Sequence, residues 1–110
     1  MRMPNPGRAV VDLEKLRNYC LNPGHPRGRH KARVFLATLG LTGDHAEQLR
    51  DSLLAAAHAE DAVPAERDGY GQRYVVDFTM SGPTRRAVVR SSWIVRRGED
   101  LPRLTSCYVL

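Results

Sequence analysis

Gln72-Arg73-Tyr74-Val75-Val76-Asp77-Phe78-Thr79-Met80, then the turn Ser81-Gly82-Pro83-Thr84, then Arg85 to Arg97 (RRAVVRSSWIVRR), decides the fold class. Tyr74, Val76, Phe78 and Met80 fall on one side of the first segment. Arg73, Val75, Asp77 and Thr79 fall on the other, the period of a half-buried strand. In the second segment Ala87, Val89, Ser91, Trp93 and Val95 share one face. Arg86, Val88, Arg90, Ser92, Ile94 and Arg96 share the opposite one. Two such runs joined by a short Gly-Pro turn predict an antiparallel hairpin. Gly98-Glu99-Asp100 turns the chain again, and Leu101 to Leu110 reads as a last strand. Upstream, Ala62 to Glu66 reads as a short strand, kept at the sheet edge by Pro64.

The period changes before Glu60. Asp12 is a good N-cap for a short helix with Leu13, Leu16 and Cys20 on one side, ending near Asn22-Pro23. A second helix runs from about His30 to Leu39, with Ala32, Phe35, Leu36 and Leu39 at helical spacing and Gly40 as its stop. Thr42 caps a third, about Gly43 to Ala59, whose buried stripe is Ala46, Leu49, Leu53 and Ala57. Residues 1–8, rich in Pro and Gly, read as an extended arm. The expected fold is α+β: two to three N-terminal helices packed on a four-stranded antiparallel sheet, in a single domain spanning residues 1–110. A chain of 110 residues holds one core. No apolar run approaches the ~18 residues of a membrane span and the N-terminus lacks a signal-like apolar stretch, so no membrane role is expected; the expected location is cytoplasmic, in the producer or in a target cell if the protein is delivered.

The net charge of +5 is unevenly spread. Residues 1–43 carry +6, residues 44–68 carry −5 and residues 69–110 carry +4. If the basic segments meet, they form a face suited to a polyanion. Arg outnumbers Lys fifteen to two, and Arg can fork onto a phosphate as Lys cannot. The bland alternative is a solvated, Arg-rich surface.

The densest candidate for chemistry is His25 to Arg33 (HPRGRHKAR), with four Lys or Arg and two His in nine residues. Gly24 and Gly28 allow close backbone approach, and the second half opens a helix whose N–H groups attract phosphate. Imidazole beside guanidinium and ammonium can bind a phosphodiester and move protons near neutral pH. The plain alternative is a loop that only binds phosphate or solvates the fold. His25, His30, His45 and His58 have no Cys or carboxylate at a zinc-like interval, so no metal and no cofactor are expected. Cys20 and Cys107 fit no metal or redox spacing and read as two small buried side chains, with a disulfide left open. No nucleophile elbow, Walker A or dinucleotide glycine pattern occurs.

Tyr19-Cys20-Leu21-Asn22-Pro23-Gly24-His25-Pro26-Arg27-Gly28-Arg29-His30-Lys31-Ala32-Arg33-Val34-Phe35, with Leu39-Gly40, resembles a family of small bacterial domains of unknown function. That family carries an LNPxHPxGxxKAxxF…LG signature. Ser92-Trp93-Ile94-Val95 and Pro102 to Tyr108 extend the likeness along the chain. The pattern is similar in turn to the barnase–EndoU–colicin–RelE (BECR) group of metal-independent ribonuclease toxins. That resemblance implies catalytic roles for His25, Lys31, Thr105, Tyr108, His30 and Ser92. It implies phosphate binding by Arg27, Arg29, Arg33, Arg86 and Arg90. It also implies cleavage of RNA (transfer RNA among the candidates) by attack of the 2′-hydroxyl, and neutralisation by an acidic antitoxin or immunity protein. The sequence lacks the glutamate base of barnase-like enzymes and matches the two histidines of EndoU-like ones only loosely. The alternative reading is a non-catalytic basic module that binds nucleic acid or an acidic protein.

Overall fold

The computed structural model describes residues 1–110. Three helical segments pack on one face of a four-stranded antiparallel sheet of order β1-β2-β3-β4. The strands are β1 (Val63–Asp68), β2 (Gly71–Ser81), β3 (Arg86–Arg96) and β4 (Pro102–Val109). Each lies within two residues of its expected span. Val76, Phe78 and Met80 of β2, with Val89, Ser91 and Trp93 of β3, turn inward as the alternation predicts. Ile94, expected on the outer face, is nevertheless 7% exposed and therefore buried.

Helix α1 (Leu13–Lys15, continuing as π-helical turns Leu16–Cys20) starts where the Asp12 carboxylate accepts the Glu14 and Lys15 N–H groups. Those bonds satisfy donors that a helix start leaves unpaired. Helix α2 (Arg29–Val34, continuing as Phe35–Leu39) ends at Gly40, whose φ of 75° suits glycine. Helix α3 (Ala46–Ala59) follows a 3₁₀ turn at Gly43–His45. Thr42 and His45 cap that turn reciprocally: Asp44 N–H donates to the Thr42 hydroxyl and Thr42 N–H to His45 Nδ1. Leu16, Phe35, Leu39, Leu49 and Leu53 meet Trp93, Val76 and Val89 in one core. α3 packs on β2, and α2 lies along β4. No helix is long and apolar enough to cross a membrane.

The N-terminal segment departs from the expected extended arm. Pro6–Arg8 forms a 3₁₀ turn and Met3 is buried in the core. The Met1 carbonyl accepts the Ala62 N–H, and Val10 bridges β4 through Pro102 and Leu104. Burial of Met3, together with these backbone bonds and the Asn5 and Arg8 contacts to Asp100, offsets the cost of ordering the segment.

One irregularity matters for the site. The β3–β4 register runs Val95↔Pro102, Ile94↔Arg103 and Trp93↔Leu104, then slips to Ser92↔Ser106. Thr105 is the extra residue of this bulge, and its hydroxyl donates to the Ser92 carbonyl at 3.0 Å. A one-residue slip exchanges the faces of everything beyond it. Cys107 therefore turns into the core, while Ser106 and Tyr108 join the sheet face that the helices leave uncovered.

Candidate functional site

A row of polar side chains crosses that uncovered face. Asp77 on β2 pairs in register with Arg90 on β3, and Arg90 with Tyr108 on β4. Arg90 Nε and Nη2 each donate to the Asp77 carboxylate at 2.9 Å, a fork-to-fork ion pair. Tyr108 stands directly across from Arg90 on the neighbouring strand. Asp77, then Tyr108, hold the Arg90 guanidinium charged more firmly than usual. The Arg90 hydrogen bond in turn holds the Asp77 carboxyl below the ordinary carboxylate range.

Helix α2 completes the row from the side. Lys31 Nζ sits 5.1 Å from the centroid of the Tyr108 ring, within cation–π distance. It also donates to Ser106 Oγ at 3.3 Å. The local sequence explains the placement: Ala32, Phe35 and Leu39 bury the inner side of α2, which leaves half-buried Lys31 facing β4. Ser92 is in register with Ser106, next to this cluster. At the other end of the row, Glu60 and Asp61 join Asp77 and Arg90 around a groove of about 400 Å³. Three carboxylates at that end repel an anion, so the Lys31–Tyr108 end is the one an anion can approach.

The structure brings Lys31, Ser92, Arg90 and Tyr108 of the expected site together, and adds Ser106 and Asp77, which the sequence reading left out of the site. Thr105 is adjacent, but its hydroxyl is spent inside the bulge. His25 has a different part. Its Nδ1 accepts the N–H groups of Arg27 and Gly28 at 3.1 and 3.2 Å. Its ring packs edge-on against Tyr19, with centroids 4.6 Å apart. The Nδ1 acceptor role puts the neutral ring's proton on Nε2, so the outer nitrogen is a donor. His25 thus shapes the loop before α2, and its hydrogen bonds do not join the sheet cluster. His30 is exposed beside Lys31. Arg27, Arg29, Arg33 and Arg86 are exposed and make no ion pair, whereas Arg90 is matched by Asp77. No three His, Cys, Asp or Glu side chains converge as metal ligands would.

Beneath the site, Cys107 and Cys20 are free and fully buried. The neighbouring Cys107 lowers the Cys20 thiol to about 7, with Lys15 and Lys31 adding to the effect. The same contact and burial raise Cys107.

Fold and cluster define an α+β domain that presents a cationic row on an open sheet face. The family model described as "Domain of unknown function (DUF6883)" matches residues 2–110, and the chain belongs to that family. Among solved structures, a chain of the contact-dependent growth inhibition toxin–immunity protein complex from Klebsiella pneumoniae 342 is similar in fold. The TM-score is 0.67 at 17% sequence identity, over 92% of this chain and 99% of that one. Comparison with curated proteins gave no match.

Proposed function

We propose that the chain is the toxin of a toxin–immunity pair and cleaves RNA by attack of the substrate's own 2′-hydroxyl. The observation that carries this reading is the cluster of Lys31, Ser106, Tyr108 and Arg90. It supplies an ammonium, two hydroxyls and a guanidinium around one stretch of open sheet. The fold likeness to a chain of a toxin–immunity complex supports the biological class, and the net charge of +5 suits a polyanionic substrate. The BECR group, similar in sequence pattern, uses such a late-strand cluster on an antiparallel sheet.

In the proposed reaction Lys31 holds a non-bridging phosphate oxygen and stabilises the charge that grows on it. Ser106 and Arg90 orient the same group. The 2′-oxygen forms a bond to phosphorus as its proton passes to His30, exposed on the same helical turn as Lys31. The phosphorus–5′-oxygen bond breaks, and Tyr108 gives its proton to the leaving oxygen. The products are a 2′,3′-cyclic phosphate and a 5′-hydroxyl end. His25 serves this site by shaping the loop that leads into α2. An acidic immunity protein covering the basic face would neutralise the toxin.

The test is to incubate the purified protein with total bacterial RNA, and with DNA of equal length, in the presence of EDTA. RNA fragments ending in 2′,3′-cyclic phosphate, with the DNA intact, are expected. Equal cutting of DNA and RNA would sink the mechanism. A second reading, a non-catalytic module that binds nucleic acid or an acidic protein, is favoured by the occupied Nδ1 of His25. Intact RNA that is nonetheless retarded on a gel would select it.

A further inference from the structure

A second anion-binding surface lies at the end of the sheet where the β1–β2 and β3–β4 turns meet. A groove of about 580 Å³ runs there between Arg67 of β1, Gln72 and Tyr74 of β2, and Arg96 and Arg97 at the end of β3. Its acids are already matched. Asp68 pairs with Arg73, and Glu99 pairs with Arg103 through Nε and Nη2 at 3.0 and 2.9 Å. Arg67, Arg96 and Arg97 are exposed and make no ion pair, so three guanidinium groups remain free around one depression. Beside them Tyr70 is 76% exposed, the barest aromatic side chain of the molecule. Its backbone is held from both sides. The Tyr70 N–H donates to the Asp68 carboxylate at 2.9 Å, and its carbonyl accepts the Arg97 N–H at 2.9 Å.

Free arginines along a groove with a bare aromatic residue next to it in the chain are what single-stranded nucleic acid needs: charge for the phosphates and a face on which a base stacks. Arg90 and Arg96 stand six residues apart on β3, about 20 Å at strand rise. Gln72, Tyr74 and Val95 of its lining share the helix-side face of the sheet with Trp93, opposite Arg90 and Tyr108, so the groove is separate from the Lys31 cluster.

We propose that the groove formed by Arg67, Arg96 and Arg97, with exposed Tyr70 next to it in the chain, binds a single-stranded segment of RNA. The substrate class rests on the proposed ribonuclease reading, but binding at the groove does not require cleavage.

The experiment titrates the full chain with a fluorescent 2′-O-methyl single-stranded oligonucleotide, which has no attacking hydroxyl, and follows anisotropy over a series of salt concentrations. Removing three phosphate contacts in R67Q/R96Q/R97Q should flatten the slope of log affinity against log salt by about 2. A separate Tyr70→Ala variant should bind about tenfold more weakly with its salt slope kept. All four positions are exposed, and a thermal melt checks that each variant is folded. Wild-type slope and affinity in both variants would overturn the proposal. So would a polyglutamate peptide that competes as well as unlabelled oligonucleotide, which would assign the groove to an acidic protein surface. The two readings separate cleanly. A wild type that binds but never cuts RNA, with binding lost in R67Q/R96Q/R97Q, supports the groove and refutes the ribonuclease. Cleavage with unchanged binding in both variants does the reverse.

Discussion

Replacing Lys31 by alanine tests whether the cationic row works in chemistry or only in packing. In the folded protein the ammonium makes one hydrogen bond to Ser106 at 3.3 Å and one cation–π contact with Tyr108 at 5.1 Å. A charged hydrogen bond of this kind and a cation–π contact on a half-buried side chain together contribute about 1–2 kcal/mol. For a domain of this size that is a fall in melting temperature of roughly 5–15 °C. Even from a low-end stability of about 5 kcal/mol, losing 2 leaves less than about 1% of the chain unfolded at room temperature. Packing alone would therefore leave cleavage close to wild type. Loss of a donor aimed at charge developing on the phosphate would lower the rate about 100- to 1000-fold. The assay is single-turnover cleavage of an end-labelled RNA at 25 °C, with a thermal melt on the same samples. Lys31→Arg, which keeps the charge with a different shape, should recover part of the rate. If Lys31→Ala melts lower as expected and still cuts within threefold of wild type, Lys31 is structural and the proposed mechanism fails.

Three further outcomes follow from the geometry. Ser91→Ala removes the buried hydroxyl that donates to the Val76 carbonyl at 2.7 Å and accepts the Trp93 Nε1–H at 2.9 Å. The orphaned indole N–H should cost about 1–3 kcal/mol, read as a lower urea midpoint at unchanged slope; a loss under about 0.5 kcal/mol would contradict the network. The Asp77 carboxyl is held low by Arg90, so its contribution to stability is full above the ordinary carboxylate pKa and is lost as the pH falls through the lowered value. Urea midpoints between pH 6 and pH 2 should thus fall less steeply for Asp77→Asn than for wild type, and an equal fall would refute the pairing. In Gly28→Ala the added Cβ would clash with the Tyr19 carbonyl oxygen, so the backbone of the loop must move. A lower melting temperature is expected, and an unchanged one would show that the loop is not held as described.

The fold was legible because two long alternating runs have only one way to bury Tyr74, Val76, Phe78 and Met80 against Val89 and Trp93. Three capped apolar stripes before them must then cover that face. The site was legible in part. Lys31, Arg90 and Tyr108 stood out by chemistry, and the structure brings them to one place. Ser106 did not stand out, because an uninterrupted hairpin register would pair Ser92 with Thr105 and put Cys107 opposite Arg90. The bulge at Thr105 changes that pairing, and no residue in Leu104-Thr105-Ser106-Cys107 announces a bulge as glycine often does. His25 shows the opposite limit. Its residue type and basic neighbours suggest a proton carrier, but whether a ring nitrogen is free depends on loop geometry that spacing does not encode.

Alternation with core residues anchors the backbone that carries the row on the open sheet face. Asp77 stands between buried Val76 and Phe78, Arg90 between buried Val89 and Ser91, and Tyr108 next to buried Cys107. Lys31 precedes buried Ala32, on a helix anchored by Phe35. Each polar member of the row is thus tied to a core residue one position away, and Cys107 meets Cys20 of α1 directly beneath it. In the proposed reaction, groups mounted this way would meet a phosphate with less reorganisation, the condition under which fixed charges stabilise a transition state most. Without the slip at Thr105, Tyr108 would face the helices and Lys31 would have no aromatic ring to cover. One unpaired residue in β4 therefore decides whether Ser106 and Tyr108 join Arg90 and Lys31.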